Sequence, residues 1–480
     1  MNLLYFFFFI AAISVVFILY KKKATKYTLI SIIILALIPR IWLITNPNLG
    51  NNDEKYHALV AKNLSNHPLK PTLYENPVLT YDLNNYSSNH IWLSKPPITL
   101  WLMATSISFF GTTVFAVRLP SLILSILSLL ILFHLGKILF NEQIGLMAMF
   151  FLAIHGTFIE LGAGEVSSDH VDICVMFLFL TTIYGTLKAA LSPRYWKYSG
   201  IITGLLCGLL FLTKWQVAFL TVPVSLYTIY SQRQSNRQLI TQVLLAAITF
   251  SIIVAPWLHN LTKNYTLEWN AMLLGLVKPM LEITQGHSGP WYYYIDKIGK
   301  LFGEFIYLPL FLLPYIAYNK KSFSLSTITI WIFIPLMVFS VMETKRFTYI
   351  MVIAPAIFLL TGYFINTAIP QLKKYKWAVT VYSLGLILLP IRFSIERIDF
   401  FTNHQTEYAN TEQWLIDLKK FTELKAEEKT LIFNTSRNIE TMFYTNCIAY
   451  PHIPNHIKID HLKKAGYFCY LFDNGNYVAL

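Results

Sequence analysis

Charged residues are scarce in this sequence. Asp, Glu, Lys and Arg make up 13% of its 480 residues, whereas a soluble globular protein carries about 25%. A chain of this length cannot build a well-solvated surface from so few charges, so the composition argues against a soluble enzyme and a disordered protein. The four cysteines form no CxxC pair, which leaves a zinc knuckle and a disulfide scaffold unsupported. A P-loop, a GxGxxG motif and an internal repeat are also missing.

Apolar residues dominate instead. They make up 55% of the chain and recur in runs of roughly the ~20 residues that cross a bilayer. This pattern predicts an all-α polytopic membrane protein with about twelve transmembrane helices. The predicted spans lie near residues 2–20, 27–46, 116–139, 143–161, 170–189, 198–213, 215–230, 238–259, 300–318, 323–342, 347–368 and 376–396.

The net charge of +13 follows the predicted topology. Fifteen Lys and Arg residues and a single acid, Glu142, fall in alternate connectors, which face the cytoplasm by the positive-inside rule. The rest of the chain is close to neutral. The charge excess is therefore an orientation signal. It predicts membrane lipids as neighbours and no nucleic-acid partner.

The last part of the chain has a different composition. Residues 397–480 alternate helical and β-like runs, which predicts a small α/β domain outside the cytoplasm. The chain then divides into an N-terminal helix with its basic connector (1–26), a transmembrane unit (27–396) and this outer domain. A disulfide between Cys447 and Cys469 is allowed outside the cytoplasm, and we state it as a hypothesis.

The first outer loop, residues 47–115, carries two helix-start signals. Asp53 precedes apolar positions at helical spacing up to Leu64, which predicts a helix along the membrane surface with Asp53 as an N-cap candidate. Lys95 stands just before Pro96-Pro97, and proline suits the first turn of a helix, so a second interfacial helix begins there. Asp53 is thus either a cap or a site carboxylate. Lys95 either contacts lipid headgroups or is aimed at a phosphate.

Further charged residues lie on the same predicted face. Arg118 opens the third span from the outer side. Arg40 lies within the second span, where a charge costs roughly 2.5–3.5 kcal/mol and needs a partner, a water-filled cavity or the interface. Each of these residues can be an anchor or a structural ion partner as well as a site residue. Four acids cluster at the outer ends of the fourth and fifth spans: Glu160, Glu165, Asp169 and Asp172.

The distribution of charges says more about function than any single residue, because acids and cations converge on one membrane face. The fitting substrate has a lipid tail in the bilayer and an anionic headgroup at that surface. Cations can stabilise a phosphate leaving group, while a carboxylate accepts a proton from an attacking hydroxyl. The converging residues are Asp53, Lys95, Arg118, Asp172, Lys214, Lys278, Lys345 and Arg346.

The order of the motifs resembles a known superfamily. The motifs are Asp53-Glu54 with Tyr56, Lys95-Pro96-Pro97 with Trp101, Arg118 to Ser121, Asp172, Gly204 to Lys214, Ala255-Pro256-Trp257, His287 to Tyr294, and Lys345 to Tyr349. Over roughly residues 27–368 this set resembles the GT-C superfamily of lipid-linked-sugar glycosyltransferases. The resemblance is closest to the aminoarabinose lipid A transferase family and next to the protein O-mannosyltransferases. The extra N-terminal helix departs from the family pattern. The family often has an arginine in the loop 260–299, where this sequence has only Lys263 and Lys278.

The resemblance implies a fold and an activity. The fold is a GT-C-type bundle, and the activity is an inverting transfer of a sugar from a polyprenyl phosphate, such as undecaprenyl phosphate, to lipid A, another glycolipid or a protein. The site would face the periplasm of a bacterial inner membrane. No cofactor is required, although the residues leave open a divalent cation beside Asp53.

The resemblance also implies roles for single residues. Asp53 is the candidate catalytic carboxylate, which would position or deprotonate the acceptor, and Glu54 and Asp172 are further catalytic candidates. Lys95 and Lys278 would contact the lipid phosphate. The other candidates for contact with the phosphate or the sugar are Arg40, Tyr56, Arg118, Lys214, His287, Tyr293, Lys345 and Arg346.

Two other interpretations stay open. A flippase or another transporter of lipid-linked saccharides would tend to show internal repeats and charges at the membrane midplane. Apart from Arg40, the sequence shows neither clearly. A membrane scaffold that binds a partner through its C-terminal domain would leave the outer cations unexplained.

Overall fold

A computed structural model describes residues 3–50, 52–81, 83, 89–164, 169–192, 194–233, 235–368, 376–403, 409–425, 429–473 and 475–480. Glu165, one of the four clustered acids, lies outside these residues. The helices are α1 (Leu3–Lys21), α2 (Thr25–Ile44), α3 (Glu54–Asn66), α4 (Pro97–Phe110), α5 (Val114–Leu139), α6 (Glu142–Ile154), α7 (Gly156–Ala163), α8 (Asp169–Ala190), α9 (Trp196–Phe211), α10 (Trp215–Gln232), α11 (Asn236–Asn264), α12 (Thr266–Leu281), α13 (Tyr293–Phe302), α14 (Tyr307–Asn319), α15 (Phe323–Val341), α16 (Ala354–Tyr363), α17 (Lys376–Asn403), α18 (Ala409–Glu423), α19 (Asn438–Tyr444) and α20 (His456–Lys464). The strands are β1 (Thr430–Phe433), β2 (Ile448–Ala449), β3 (Phe468–Asp473) and β4 (Asn476–Ala479).

Long apolar helices make the chain a multi-pass membrane protein. Among the described residues, seven helices are long and apolar enough to cross a membrane, or up to nine if each of two bent pairs is one span. The prediction of a helical polytopic protein with a small C-terminal α/β part is confirmed. The count of twelve spans stays a prediction, and so do the three domain boundaries. The tight break predicted at Lys214 and Trp215 separates α9 from α10.

Two predicted spans are broken. The span predicted over 143–161 consists of α6 and α7, which meet at His155 at an angle of 55°. The span predicted over 300–318 overlaps α13 and α14, which form an angle of 116°. Gly303 ends α13 with a φ of 87°, a conformation that glycine adopts without steric cost. The sequence analysis gave each of these ranges as one span, because apolar composition alone does not reveal such a break.

The helix directions give the bundle two chemically different ends. We call the end where α2 stops and α5 and α8 start the site end, because the first loop lies there. At the opposite end Lys137, in the last turn of α5, pairs with Glu142 at the start of α6 (2.7 Å). Glu142 also accepts a hydrogen bond from Thr25 at the start of α2 (3.0 Å). Lys188, in the last turn of α8, lies on this side as well.

The first loop is fastened across the site end. Its helices α3 and α4 begin where the sequence predicts interfacial helices. Between them, the Leu69 carbonyl accepts hydrogen bonds from Asn260 and from the Tyr265 hydroxyl (both 3.2 Å). The Tyr81 hydroxyl donates to Glu268 (2.6 Å). These contacts join the loop to the end of α11 and to α12, a helix that the sequence analysis missed because it treated residues 260–299 as a connector.

The C-terminal sheet has the strand order β2-β1-β3-β4, with the first three strands parallel and β4 antiparallel to β3. Leu431 of β1 pairs with Ile448 on one side and with Cys469 on the other. Cys447, next to Ile448, is therefore separated from Cys469 by the whole of β1, and neighbouring strands lie about 4.8 Å apart. Both cysteines are buried free thiols, so the hypothesis of a disulfide between them is wrong.

The C-terminal sheet and its helices pack against α3. The partly buried Lys62 ammonium donates to three carbonyls at the end of α19, those of Met442 (2.8 Å), Phe443 (3.1 Å) and Thr445 (2.6 Å). A cation suits this position because the last carbonyls of a helix lack partners within the helix. The Tyr74 hydroxyl donates to the Ala449 carbonyl (3.1 Å). The C-terminal part of the chain therefore binds α3, the helix that follows Asp53.

Candidate active site

Two contacts join the first loop to the break between α9 and α10. The Asp53 carboxylate pairs with the Lys95 ammonium at 3.2 Å, and both side chains are partly exposed. Three residues after Lys95, the Ile98 N–H donates to the Leu212 carbonyl (3.0 Å). The start of α4 therefore holds Lys95 between Asp53 and this break.

Two further contacts close a ring. Lys214, next in the break, pairs with Asp172 near the start of α8 (2.6 Å). Two residues before Asp172, His170 contacts Glu54 (2.9 Å), which follows Asp53 in the chain. We call this series of four contacts the contact ring. It brings together motifs that the sequence spreads over more than 160 positions.

Asp53 occupies the N-cap position of α3, as predicted, but does not act as a cap. Its backbone is in the right-handed helical region (φ −70°, ψ −25°), and its carboxylate makes no capping hydrogen bond. An N-cap residue normally has an extended backbone so that its side chain reaches the helix N–H groups. The carboxylate instead faces Lys95, so the capping interpretation of Asp53 is wrong.

Glu54 and Arg118 form a fully buried ion pair beneath Asp53. Arg118 Nε and Nη2 donate to the two carboxylate oxygens of Glu54 at 2.6 and 2.8 Å. The guanidinium also donates to the carbonyls of Leu43 (3.2 Å), Asn46 (3.0 Å) and Asn48 (2.9 Å). All five of its N–H groups are used. Neither side chain has exposed surface, so we assign Glu54 and Arg118 to positioning rather than to contact with substrate.

The Glu54 carboxylate is held in its ionised form. Burial by itself raises its pKa, but the charge and hydrogen bonds of Arg118, together with His170, outweigh burial and lower the pKa to about 2. A carboxylate with a buried guanidinium beside it favours the charged state. Glu54 therefore does not act as a proton acceptor near neutral pH.

His170 and Ser121 extend this buried pair and were missed by the sequence analysis. The Ser121 hydroxyl contacts His170 Nδ1 at 2.6 Å, and His170 Nε2 contacts Glu54. The series Ser121–His170–Glu54 has the composition of a hydrolase triad. However, Ser121 and His170 are buried and Glu54 is engaged by Arg118, so no nucleophile is presented. Nothing in the local sequence marks His170, since its partners lie 49 and 116 positions away.

Asp172 and Lys214 form a second acid–base pair beside the first. Asp172 is largely buried, whereas Lys214 keeps about a fifth of its side chain exposed. The Lys214 ammonium also lies over the Tyr349 ring, 5.4 Å from its centre. A cation over an aromatic face is stabilised by the ring quadrupole. Asp172 and Tyr349 therefore fix the position of the partly exposed Lys214 ammonium.

Arg40 does not reach this site. It is buried in α2, and its Nη1 donates to the carbonyls of Ala36 (2.9 Å) and Ala153 (2.8 Å). Ala153 lies in the last turn of α6, just before the bend at His155, where helix carbonyls lose their partners. Its guanidinium also lies 5.3 Å from the centre of the Phe158 ring. These contacts give Arg40 a supporting role at the bend, and its contact with substrate stays a prediction.

Backbone hydrogen bonds join the turn after α15 to the end of α12 and to the loop that follows it. The Lys345 N–H donates to the His287 carbonyl (3.1 Å), and the Thr344 N–H to the Pro279 carbonyl (3.0 Å). The Lys345 ammonium is buried against the Met342 carbonyl at the end of α15. Partial desolvation and the positive charge of the nearby Arg346 lower the pKa of His287, although most of this side chain is exposed. Arg346 itself donates to Gln285.

Three other candidates lie at the edge of this region. Lys278 is exposed and pairs loosely with Glu282 at 3.6 Å. Tyr293 lies under the Lys297 ammonium, 5.0 Å from its ring centre. Tyr56 packs against the C-terminal sheet and its helices, and burial raises the pKa of its phenol.

Within the described residues, no three His, Cys, Asp or Glu side chains are grouped so that they could hold a metal ion.

Comparisons with known proteins agree with this geometry. The family model "Dolichyl-phosphate-mannose-protein mannosyltransferase" matches residues 94–259. The chain is 24% identical over 332 residues to an "Undecaprenyl phosphate-alpha-4-amino-4-deoxy-L-arabinose arabinosyl transferase 1" of Pseudomonas fluorescens, covering 68% of this chain and 59% of the relative. A transferase of the same kind from Proteus mirabilis is 26% identical over 297 residues, covering 59% and 51%. The chain thus spans between half and three-fifths of these relatives.

Solved structures share the architecture. ArnT from Cupriavidus metallidurans bound to undecaprenyl phosphate superposes with a TM-score of 0.65 at 13% identity, covering 93% of each chain. The oligosaccharyltransferase AglB from Archaeoglobus fulgidus, in complex with an inhibitory peptide and a dolichol-phosphate, gives 0.54 at 14% identity, covering 93% of this chain and 69% of that one. The chain has the GT-C fold. The resemblance seen in the motif order is confirmed, and the site end of this GT-C bundle is where Asp53 and Lys95 lie.

The buried pair gives a testable stability prediction. Glu54→Gln leaves the Arg118 charge buried without its counter-ion, which costs about 3–5 kcal/mol. We expect the variant to unfold at a clearly lower temperature than the wild type in detergent micelles. Glu282→Gln is the matched control, because its pair with Lys278 is exposed and such a pair contributes ~1 kcal/mol or less. Equal melting temperatures for the two variants would contradict the buried role.

The same pair predicts a pH dependence. The Glu54 pKa falls from 4.5 to about 2 on folding, so its contribution is complete above pH 4.5 and is lost as the pH falls toward 2. The stability difference between the wild type and Glu54→Gln should therefore stay constant from pH 7 to 5 and shrink below 4.5. A difference that already shrinks between pH 7 and 5 would show that another group controls the pair.

Proposed function

We propose that this chain is an inverting glycosyltransferase that takes a sugar from a polyprenyl phosphate, such as undecaprenyl phosphate, and transfers it to lipid A, another glycolipid or a protein. The observation that carries the proposal is the contact ring, which sets a partly exposed carboxylate and two cations at one end of an apolar bundle. A donor whose tail lies in the bilayer presents its phosphate at this level. The names of the relatives support the same donor class.

The reaction follows from the side chains that remain accessible. The acceptor hydroxyl attacks the anomeric carbon from the face opposite the phosphate, and Asp53 accepts its proton. The bond between the anomeric carbon and the phosphate oxygen breaks, and its electron pair leaves with the phosphate. Lys95 and Lys214 stabilise this growing negative charge. As the phosphate attracts Lys95, the Asp53 carboxylate loses part of its counter-charge and becomes a better base.

The transport alternative has less support from the arrangement of charges. Transporters hold their substrates at the membrane midplane with polar groups there. In the described part of the bundle, the buried Arg40 donates to two helix carbonyls through Nη1 and lies 5.3 Å from the centre of the Phe158 ring, while its Nε and Nη2 have no hydrogen-bond partner. The partly exposed acid–base pairs lie at the site end instead.

We also propose that the site end faces the periplasm of a bacterial inner membrane. The observation behind this is the basic opposite end, which favours the cytoplasm by the positive-inside rule.

No cofactor enters the proposed reaction, and a divalent cation beside Asp53 stays open to test by chelation. The acceptor class is part of the proposal, with lipid A, other glycolipids and proteins as the candidates.

The central prediction concerns Asp53. Asp53→Asn removes the proton acceptor and keeps the size of the side chain, so transfer from undecaprenyl-phosphate sugars should fall by about 100-fold or more. The measurement is release of undecaprenyl phosphate by the purified protein, followed by mass spectrometry. Asp460→Asn, at an exposed position of α20, is the control and should retain activity. Turnover of Asp53→Asn at the wild-type rate would refute the assignment.

A second prediction separates Lys95 from Lys278, the two lysines that the family resemblance assigns to the lipid phosphate. Lys95→Met removes a cation from the contact ring and should lower kcat/KM for the donor by roughly 10- to 100-fold, the worth of a hydrogen bond to a charged group. Lys278→Met removes an exposed cation that pairs loosely with Glu282, so it should change kcat/KM by less than about twofold. The same loss in both variants would show that α12 also delivers a phosphate ligand.

The orientation can be tested by labelling introduced cysteines. The four native cysteines are buried and give a low background. Lys464→Cys places a thiol on the exposed surface of α20, and Arg237→Cys places one at the start of α11, at the basic end. In spheroplasts, a membrane-impermeant maleimide should label only the first variant until the membrane is permeabilised. The reverse pattern would overturn the proposed orientation.

A further inference from the structure

The segment before Asp53 is held from two sides. Residues 46–50 form no helix or strand, and the chain bends at Asn48. On the bundle side, Arg118 takes the carbonyls of Asn46 (3.0 Å) and Asn48 (2.9 Å). The Gly50 N–H on the same side donates to Glu54. The even-numbered residues of the segment are therefore fixed by the buried ion pair.

The odd-numbered residues are fixed by one side chain from the far end of the sequence. The Tyr444 hydroxyl donates to the Pro47 carbonyl and accepts from the Leu49 N–H, both at 3.2 Å. Tyr444 is the last residue of α19, whose terminal carbonyls are held by Lys62. The hydroxyl is thus delivered by a helix end that is itself fastened to α3.

We propose that Tyr444 is a positioning residue for Asp53, because its hydroxyl fixes the backbone of residues 47–49 from the side that the bundle does not reach. This inference rests on the proposed function, in which Asp53 accepts the proton of the acceptor. It gives the C-terminal part of the chain a role in the chemistry of the site. Tyr444 does not touch the reacting atoms in this role and acts only through the segment.

The size of the expected effect follows from the geometry. Without the hydroxyl, the Leu49 N–H and the Pro47 carbonyl lose their partner, and the segment keeps its anchors on the bundle side only. A misplacement of about 1 Å in a reacting group costs on the order of 100-fold in rate. Since half of the anchors remain, we expect a smaller loss, about tenfold in kcat. The donor KM should stay within about twofold, because Lys95 is held separately by α4.

Tyr444→Phe tests this role, with Tyr450→Phe as the matched control. Tyr450 also belongs to the C-terminal part, and its hydroxyl accepts from the N–H groups of Val78 (3.0 Å) and Leu79 (3.3 Å) in the same first loop. Each variant loses one hydroxyl that bonds the loop backbone, but only one of them lies next to Asp53. A fall in kcat for Tyr444→Phe alone, with an unchanged donor KM, supports the proposal. Equal effects on kcat, or none for Tyr444→Phe, would overturn it.

Deuterium exchange gives a readout that does not depend on activity. Loss of the Tyr444 hydroxyl should speed exchange of the Leu49 amide in peptides that cover residues 46–53, and Tyr450→Phe should leave these peptides unchanged. Unchanged exchange in Tyr444→Phe would overturn the positioning role by itself. A wild-type protein that transfers no sugar from polyprenyl phosphates would instead overturn the proposed function, so the two failures are distinguishable.

Discussion

The ion pair between Glu54 and Arg118 is the interaction on which the rest of the site depends. A guanidinium and a carboxylate without exposed surface are costly unless every donor finds an acceptor. Arg118 meets this condition by taking three backbone carbonyls at the end of α2 and just beyond it, in addition to both oxygens of Glu54. The chain between α2 and α3 is consequently folded around the buried guanidinium of Arg118. Asp53 comes one residue before Glu54, so its place is set by the same pair.

The two layers of the site divide the work between them. The inner layer is closed and neutral overall, since Glu54 balances Arg118, and His170 with Ser121 completes its hydrogen bonds. The outer layer is partly open and consists of two acid–base pairs, Asp53 with Lys95 and Asp172 with Lys214. A closed layer gives fixed positions, and an open layer gives groups that can exchange their partners for a substrate. This separation of rigid support from exchangeable charge is what preorganised electrostatic catalysis needs.

The sequence predicts the outer layer better than the inner one. Asp53, Lys95 and Asp172 stand out because each is a charge next to an apolar run or a helix start in a chain with few charges. Glu54 and Arg118 attract notice for the same reason, but sequence position cannot distinguish a charge that meets substrate from one that meets another charge. His170 and Tyr444 carry no local signal, since their partners lie far away in the chain. The breaks at His155 and Gly303 are hidden likewise, because runs of apolar residues look the same in straight and bent helices.

The docking of α19 on α3 has a consequence for how the protein is made. The Tyr444 hydroxyl joins residues that are 395 and 397 positions apart. Contacts between such distant segments form only after both exist, and closing so long a loop is a slow step. On the ribosome, the transmembrane helices before residue 400 are therefore complete while the segment ahead of Asp53 is still held on one side only. The order of synthesis therefore leaves the segment ahead of Asp53 without one of its two sets of anchors until α19 has been made and has packed against α3.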